Sequence, residues 1–337
     1  MTRTRPGGED ELIQSTFAPL ARGFAGALGL KDDCAVLTPG PGEDLVLTTD
    51  AVAEGVHFFA DDSAADIAWK ALAVNVSDLV AKGTRPLAYL LAISFPERPD
   101  RAWLDGFAAG LGAAQSAFGL HLAGGDTDRR PGPLTATLTA IGSVPHGRAV
   151  RRTGARIGDL LFLSGTVGDS ALGLRVRRDG REAATRMGLD DAQAHALVQR
   201  YLRPEPRVAL APHVLACASA AMDVSDGLIK DGGRLAAASG VRAALDVRRM
   251  PLSEAVQAAL VRDPALLPAV LTGGDDYEVL AAVPSDQADA YRAAAGASGV
   301  AVAEIGVLAA GEGLALTGWD GAPMALPETA GWDHFPG

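Results

Sequence analysis

The chain has 337 residues, 48% of them hydrophobic, with 30 Lys and Arg against 41 Asp and Glu for a net charge of −11. That length suits two domains, the apolar content excludes a disordered chain, and the acidic balance argues against non-specific binding of nucleic acid or anionic membrane. No apolar run reaches the ~18 residues of a spanning helix, the opening MTRTRPGGEDEL lacks the apolar stretch of a signal peptide, and two cysteines, Cys34 and Cys217, give neither a disulfide framework nor zinc spacing, which together predict a soluble cytoplasmic α/β protein.

Residues 45–49 (LVLTT) read as a strand ending at Asp50. A helix is predicted over 64–82, stopped by Gly83 and Pro86. LAYLLAISF (87–95) is a strand, a second helix spans about 100–118 with Gly119 as its C-cap, and LTATLTAIGSV (134–144) alternates like a strand with one wet face. The first 145 residues therefore read β–α–β–α–β. The polar, basic stretch PHGRAVRRTGARIGD (145–159) marks the domain boundary, dividing the chain into 1–147 and 148–337. Beyond it come a strand at 160–165, helices near 168–178 and 190–201, a longer helix near 206–220, and alternating strands and helices to about 317.

The aspartates carry the chemistry. Asp32 and Asp33 precede the apolar CAVL, Asp50 closes its strand after Thr48 and Thr49, and Asp126 follows the two glycines of HLAGG. Asp223 and Asp226 lie in AMDVSDGL before a helix beginning at Gly227, and Asp275 and Asp276 follow LTGG. Carboxylates on glycine-flexible turns at strand ends are the donors of hard-cation sites, where phosphates complete the shell of Mg²⁺. Asp78 shares a helical row with Ile67, Ala71 and Val74, with Asn75 one turn before it. A carboxylate on that buried stripe needs an ion pair, a capping role or a cation. Two carboxylates at 4 Å repel by roughly 4 kcal/mol at an effective dielectric near 20, so six in one pocket would call for protonation or metal, of which two or more divalent ions are the simpler solution.

Other chemistries lack their motifs. None of the four lysines, Lys31, Lys70, Lys82 and Lys230, ends a GK[ST] phosphate loop. Kinase HRD and DFG sequences, a dinucleotide GxGxxG after a strand and a GxSxG elbow are missing too. Metal-assisted chemistry on phosphates is the reading left. Arg148, Arg151, Arg152 and Arg156 form either a solvated linker or a fork for phosphate. In SGTVGDS (164–170), backbone N–H groups entering a helix offer a second phosphate cradle. Cys34, with its apolar flank, reads as a packed thiol.

At this point eight segments resemble the thiamine-monophosphate kinase family, within the superfamily that includes aminoimidazole ribonucleotide synthetase. They are DDCAV (32–36), TTDAVAEGVHF (48–58), KALAVNVSDLVAKGTRP (70–86), AGGDT (123–127), GRAVRRTGARIGDLLFLSGTVGDSALGL (147–174), MDVSDGLIKD (222–231), GGDDYE (273–278) and WDHF (332–335), in the family's order over nearly the whole chain. The resemblance implies a β-rich N-terminal domain that dimerises through its sheet and an α/β C-terminal domain. It implies ATP-dependent phosphorylation of thiamine monophosphate to thiamine diphosphate, by direct transfer and without a phospho-enzyme. By the same analogy Asp33, Thr48, Thr49, Asp50, Asp78, Asp126, Asp223 and Asp226 hold several Mg²⁺ ions. Gly125, Asp126, Arg152 and Ser225 contact ATP, while His57, Asp275 and Trp332 contact the thiamine phosphate. Asp33, Asp50, Asp126, Asp226 and Arg152 form the catalytic set.

His57 and Trp332 also admit structural roles, and the tryptophan suits stacking on a flat cationic ring. Two residues depart from the family pattern: Lys31 stands where Gly usually precedes DD, and Asp275 where Glu is usual. Competing readings are another ATP-using enzyme of the superfamily, a non-catalytic nucleotide-binding dimer, and a multi-metal phosphatase.

Overall fold

A computed structural model describes residues 8–334 of the chain. They divide into two compact units: one runs to Leu79 and resumes over Thr84–Arg148, and the other takes Val80–Gly83 and the chain from Ala149 onward. The fold class is the expected mixed α/β one, strand-rich in the first unit and α/β in the second.

The first unit opens with the short helix α1 (Glu9–Leu12) and irregular helical turns to Leu30. Then follow β1 (Glu43–Ala53), α2 (Ala64–Ala81), β2 (Arg85–Phe95), α3 (Arg101–Phe118), β3 (His121–Arg129) and β4 (Thr135–Pro145). The strands lie in the order β1-β4-β2-β3, with β1–β4 and β2–β4 antiparallel and β2–β3 parallel. The helical period behaves as predicted: Ile67, Ala71 and Val74 are buried. Asp100 caps α3 by accepting from Trp103 N, and Gly119, at φ +75°, ends it. Buried Tyr89 donates its hydroxyl to Gln115 Oε1 at 2.7 Å, tying β2 to α3. Leu47 and Leu90 are the large apolar residues these strands leave exposed.

Two strands differ from expectation. β1 does not end at Asp50: its register with β4 continues unbroken to Ala53, and Asp50 sits opposite Leu138 inside the ladder. HLAGGDTDR is a strand rather than a glycine turn, with Asp126 paired to Ala92. Gly125 is required there for space, because a Cβ would run into the Leu91 carbonyl of β2. The period-2 signal of β3 was hidden by its glycine pair, of which Gly125 serves the close strand approach.

The second unit contains β5 (Leu160–Ser164), α4 (Asp169–Arg186), α5 (Asp191–Leu202), α6 (Ala211–Cys217), β6 (Ala220–Val224), α7 (Leu228–Ser239) and β7 (Arg242–Asp246). It continues through α8 (Glu254–Arg262), α9 (Leu267–Thr272), β8 (Glu278–Val283), α10 (Ala288–Ala297), β9 (Val302–Ala309), β10 (Leu314–Thr317) and β11 (Pro323–Met324). Seven strands lie in the order β11-β10-β7-β9-β5-β8-β6, with only β10–β7 parallel. One apolar core, including Leu161, Leu163, Leu172, Met222, Leu235, Val256 and Leu280, holds the helices to the sheet. The long helix predicted near 206–220 shrinks to the seven residues of α6. Pro204, Pro206 and Pro212 delay the helix start, and 220–224 are drawn into the sheet beside β8.

Candidate functional site

In the second unit, three segments far apart in sequence close on one turn. β6 delivers buried Asp223, and the chain then turns through Ser225 and Asp226 into α7. Asp275 N donates to Ser225 O at 2.9 Å, and Tyr277 N to Val224 O at 2.8 Å. Trp332 N donates to Asp226 O at 2.9 Å, and the Lys230 ammonium donates to Trp332 O. The side chain of Asp275 accepts from the Tyr277 hydroxyl at 3.1 Å. Ser225, Asp226, Asp275 and Trp332, assigned by the resemblance to metal, nucleotide and substrate, therefore belong to one hydrogen-bonded knot, with Asp223 two residues before it at the end of β6.

Beneath the knot lies Asp231, which the sequence reading passed over. It is fully buried and accepts the N–H groups of Ser225 at 3.0 Å and Asp226 at 2.8 Å. Burial pushes its carboxyl above the ordinary range, with the Asp226 charge adding to the effect, against the pull of the Asp226 N–H and of Arg234. Arg234 Nη1 bridges Asp231 Oδ1 at 2.9 Å and Asp226 Oδ2 at 2.6 Å. An acid in the first turn of α7 is a helix-start signal, and it was the available clue.

The first unit holds two groupings. Thr48 Oγ1 donates to Asp78 Oδ2 at 2.6 Å, and Asp50 N donates to Asn75 Oδ1 at 3.0 Å, so α2 supports β1 at both positions. Thr49 turns the other way: its hydroxyl donates to Leu138 O and accepts from Thr139. His57 Nδ1 accepts the Ala53 N–H at 3.1 Å, which puts the ring proton of the neutral imidazole on Nε2, and buried Lys70 donates to His57 O. Separately, a cavity of about 720 Å³ is lined by Asp32, Asp33, Cys34, Gly125, Asp126 and Thr139 among others. It brings together Asp33, Gly125 and Asp126. Cys34 is exposed on its wall, not packed, because the loop carrying it runs along the cavity rather than under a helix.

Two phosphate-cradle expectations fare differently. Arg152 is exposed, and its carbonyl accepts from Ser239 Oγ at 2.9 Å. The SGTVGDS turn is already occupied: Gly168 N and Ser170 N donate to the buried carboxyl group of Asp276 at 2.8 and 3.3 Å. A carboxyl group at a helix N-terminus satisfies the donors that a phosphate would use. Nearby, fully buried Glu278 accepts from Arg200 at 2.9 Å, from Arg207 at 2.5 Å and from Ser164 at 2.5 Å.

Every candidate ligand side chain offers hard oxygen, either carboxylate or hydroxyl, which is the donor class Mg²⁺ takes. Among the described residues, no three His, Cys, Asp or Glu side chains gather closely enough to hold a metal by themselves. Mg²⁺ commonly takes one or two carboxylates and completes its shell from water and substrate phosphates. The donor set fits such an ion.

Residues 31–144 match the family model of the AIR synthase related protein N-terminal domain, and residues 156–318 that of its C-terminal domain. The thiamine-monophosphate kinase of Caulobacter vibrioides is 42% identical over 334 residues, covering 98% of this chain and 91% of that protein. The chain belongs to the thiamine-monophosphate kinase family. The crystal structure of thiamine-monophosphate kinase from Stenotrophomonas maltophilia K279a superposes with a TM-score of 0.80 at 40% identity, covering 91% of this chain and 97% of that one. AaThiL complexed with AMPPCP and TMP gives 0.77 at 31% identity, covering 97% of both. As a thiamine-monophosphate kinase family member, the chain carries its two departures without obvious backbone cost. Lys31 has φ −121°, open to any residue. Asp275 has φ +70°, a region that aspartate tolerates better than most side chains.

Proposed function

We propose that this chain transfers the γ-phosphoryl group of ATP to thiamine monophosphate, forming thiamine diphosphate by direct, in-line, Mg²⁺-assisted transfer. The observation that carries the reading is the knot in which Ser225, Asp226, Asp275 and Trp332 are hydrogen-bonded together, in a chain related over almost its full length to thiamine-monophosphate kinases.

The acceptor is already a phosphate, so the reaction needs no strong general base. The obstacle is to bring two polyanions together, and catalysis is then mostly positioning and charge neutralisation. Bound Mg²⁺ would supply charge neutralisation and a template for the phosphate oxygens. Asp33 and Asp126 in the first-unit cavity, Thr48, Thr49, Asp50 and Asp78 around β1, and Asp223 and Asp226 in the second unit are the oxygen donors offered to it. Ser225, Gly125, Asp126 and Arg152 would orient ATP. Half-exposed Trp332 offers a ring face for the thiazolium or pyrimidine of the substrate, and Asp275 and His57 offer polar contacts. A homodimer formed through the first-unit sheet is part of the proposal, supported by Leu47 and Leu90, 60% and 37% exposed on its strands. A cytoplasmic location suits the two free cysteines, Cys34 and Cys217.

The test is a product assay. Protein, ATP, Mg²⁺ and thiamine monophosphate are incubated, and the thiamine species are separated. Thiamine diphosphate formed by the wild type, and lost with EDTA and with Asp226→Asn, supports the reading. Folded protein that binds Mg-ATP yet makes no thiamine diphosphate overturns it in favour of another phosphate acceptor within the superfamily.

A further inference from the structure

Asp226 is offered above as a metal ligand, yet in the structure it already has cations. Arg234 Nη1 lies 2.6 Å and Lys230 Nζ 3.4 Å from the same oxygen, Oδ2. The two ends of the Arg234 bridge are unequal. Asp231 is fully buried and anchored by two backbone N–H groups, so that end is fixed. Asp226 is 23% exposed and Arg234 itself 41% exposed, so that end is free to exchange.

A guanidinium and a divalent ion cannot both sit against one carboxylate oxygen without strong repulsion. A guanidinium released from a carboxylate is well suited to a phosphate, whose oxygens it can fork. Resting on the reading of Asp226 as a metal ligand, we infer that Arg234 is an exchangeable counter-cation. It neutralises Asp226 in the free protein, and when a metal-bound phosphate arrives it moves to a phosphate oxygen while still held by Asp231. Free divalent metal is thereby disfavoured at Asp226, and the metal–phosphate complex is favoured.

The test is Mn²⁺ binding to the full chain, counted by electron paramagnetic resonance, alone, with a non-hydrolysable ATP analogue, or with thiamine monophosphate. The variants are Arg234→Met, Arg234→Lys and Asp226→Asn, each checked by thermal melting. Arg234→Met is expected to bind free Mn²⁺ about fivefold more tightly, the size of one partly exposed ion pair, and to lose most of the gain that the phosphate ligand gives the wild type. Arg234→Lys keeps that gain in part. The arm that shows the gain, nucleotide or monophosphate, identifies which phosphate receives Arg234. If folded Arg234→Met binds free Mn²⁺ no better than wild type and keeps the full gain, the inference is wrong. If Asp226→Asn leaves Mn²⁺ binding and product formation intact, it is the ligand role of Asp226 that fails, and the exchange fails with it.

Discussion

Thr48 and Asp78, thirty residues apart, meet through a 2.6 Å hydrogen bond that joins strand β1 to helix α2. The helical row carrying Asp78 is otherwise buried, and the hydroxyl supplies the partner that a carboxylate in that setting requires. The bond also aims one carboxylate oxygen, which a metal ligand needs.

Thr48→Val keeps the shape and removes the donor. Stability should fall by about 1–2 kcal/mol, read as a shift of the urea midpoint without a change in slope. The Mg²⁺ concentration for half-maximal thiamine diphosphate formation should rise. Thr48→Ser should restore both.

Gly227 opens α7 at φ +113°, and a Cβ there would run into Thr272 O. Gly227→Ala should therefore destabilise the second unit by on the order of 3 kcal/mol, backbone strain and overlap acting together. Because the turn carries Ser225 and Asp226, activity at permissive temperature should fall as well. An unchanged melting temperature would show that the turn relaxes freely.

Asp276 gives a pH prediction. Burial holds its carboxyl well above the ordinary 3.8, outweighing the Gly168 and Ser170 N–H groups and Arg200. The folded state therefore keeps a proton that the unfolded chain releases. The stabilisation is complete below the ordinary value and declines as pH rises through the raised one. Asp276→Asn removes the titrating group while keeping an acceptor for Gly168. Urea unfolding from pH 4 upward should show wild-type stability declining relative to this variant; parallel curves would refute the assignment.

Asp275 occupies φ +70°. Asp275→Asn should fold normally, whereas Asp275→Val should lose about 1–2 kcal/mol, since a β-branched residue is strained there. Asp275→Glu tests the substrate contact: a longer acid should change KM for thiamine monophosphate more than KM for ATP.

Glu278 is fully buried between Arg200 and Arg207. Replacing it with Gln strands both guanidiniums. The expected loss is about 3–5 kcal/mol, measured by denaturant unfolding, and the double variant with Arg207→Met should recover part of it.

The sequence by itself determined the strands and helices of the first 145 residues apart from β3, the Gly119 cap, the row that carries Asp78, and the motif order that marks the family. These depend on periods of two and 3.6 residues and on turn chemistry, which act over a few neighbours. The tertiary structure decided what those motifs touch. Asp126 lies inside a strand because β2 approaches Gly125 closely, and the SGTVGDS donors are taken by Asp276 from 108 residues away. Trp332 reaches Asp226 across the chain, and Asp231 with Arg234 sets the charge around that aspartate. Such pairings arise only after the sheet has brought distant segments together. Which polar group a buried donor meets is decided by packing, and no local pattern of residues encodes it.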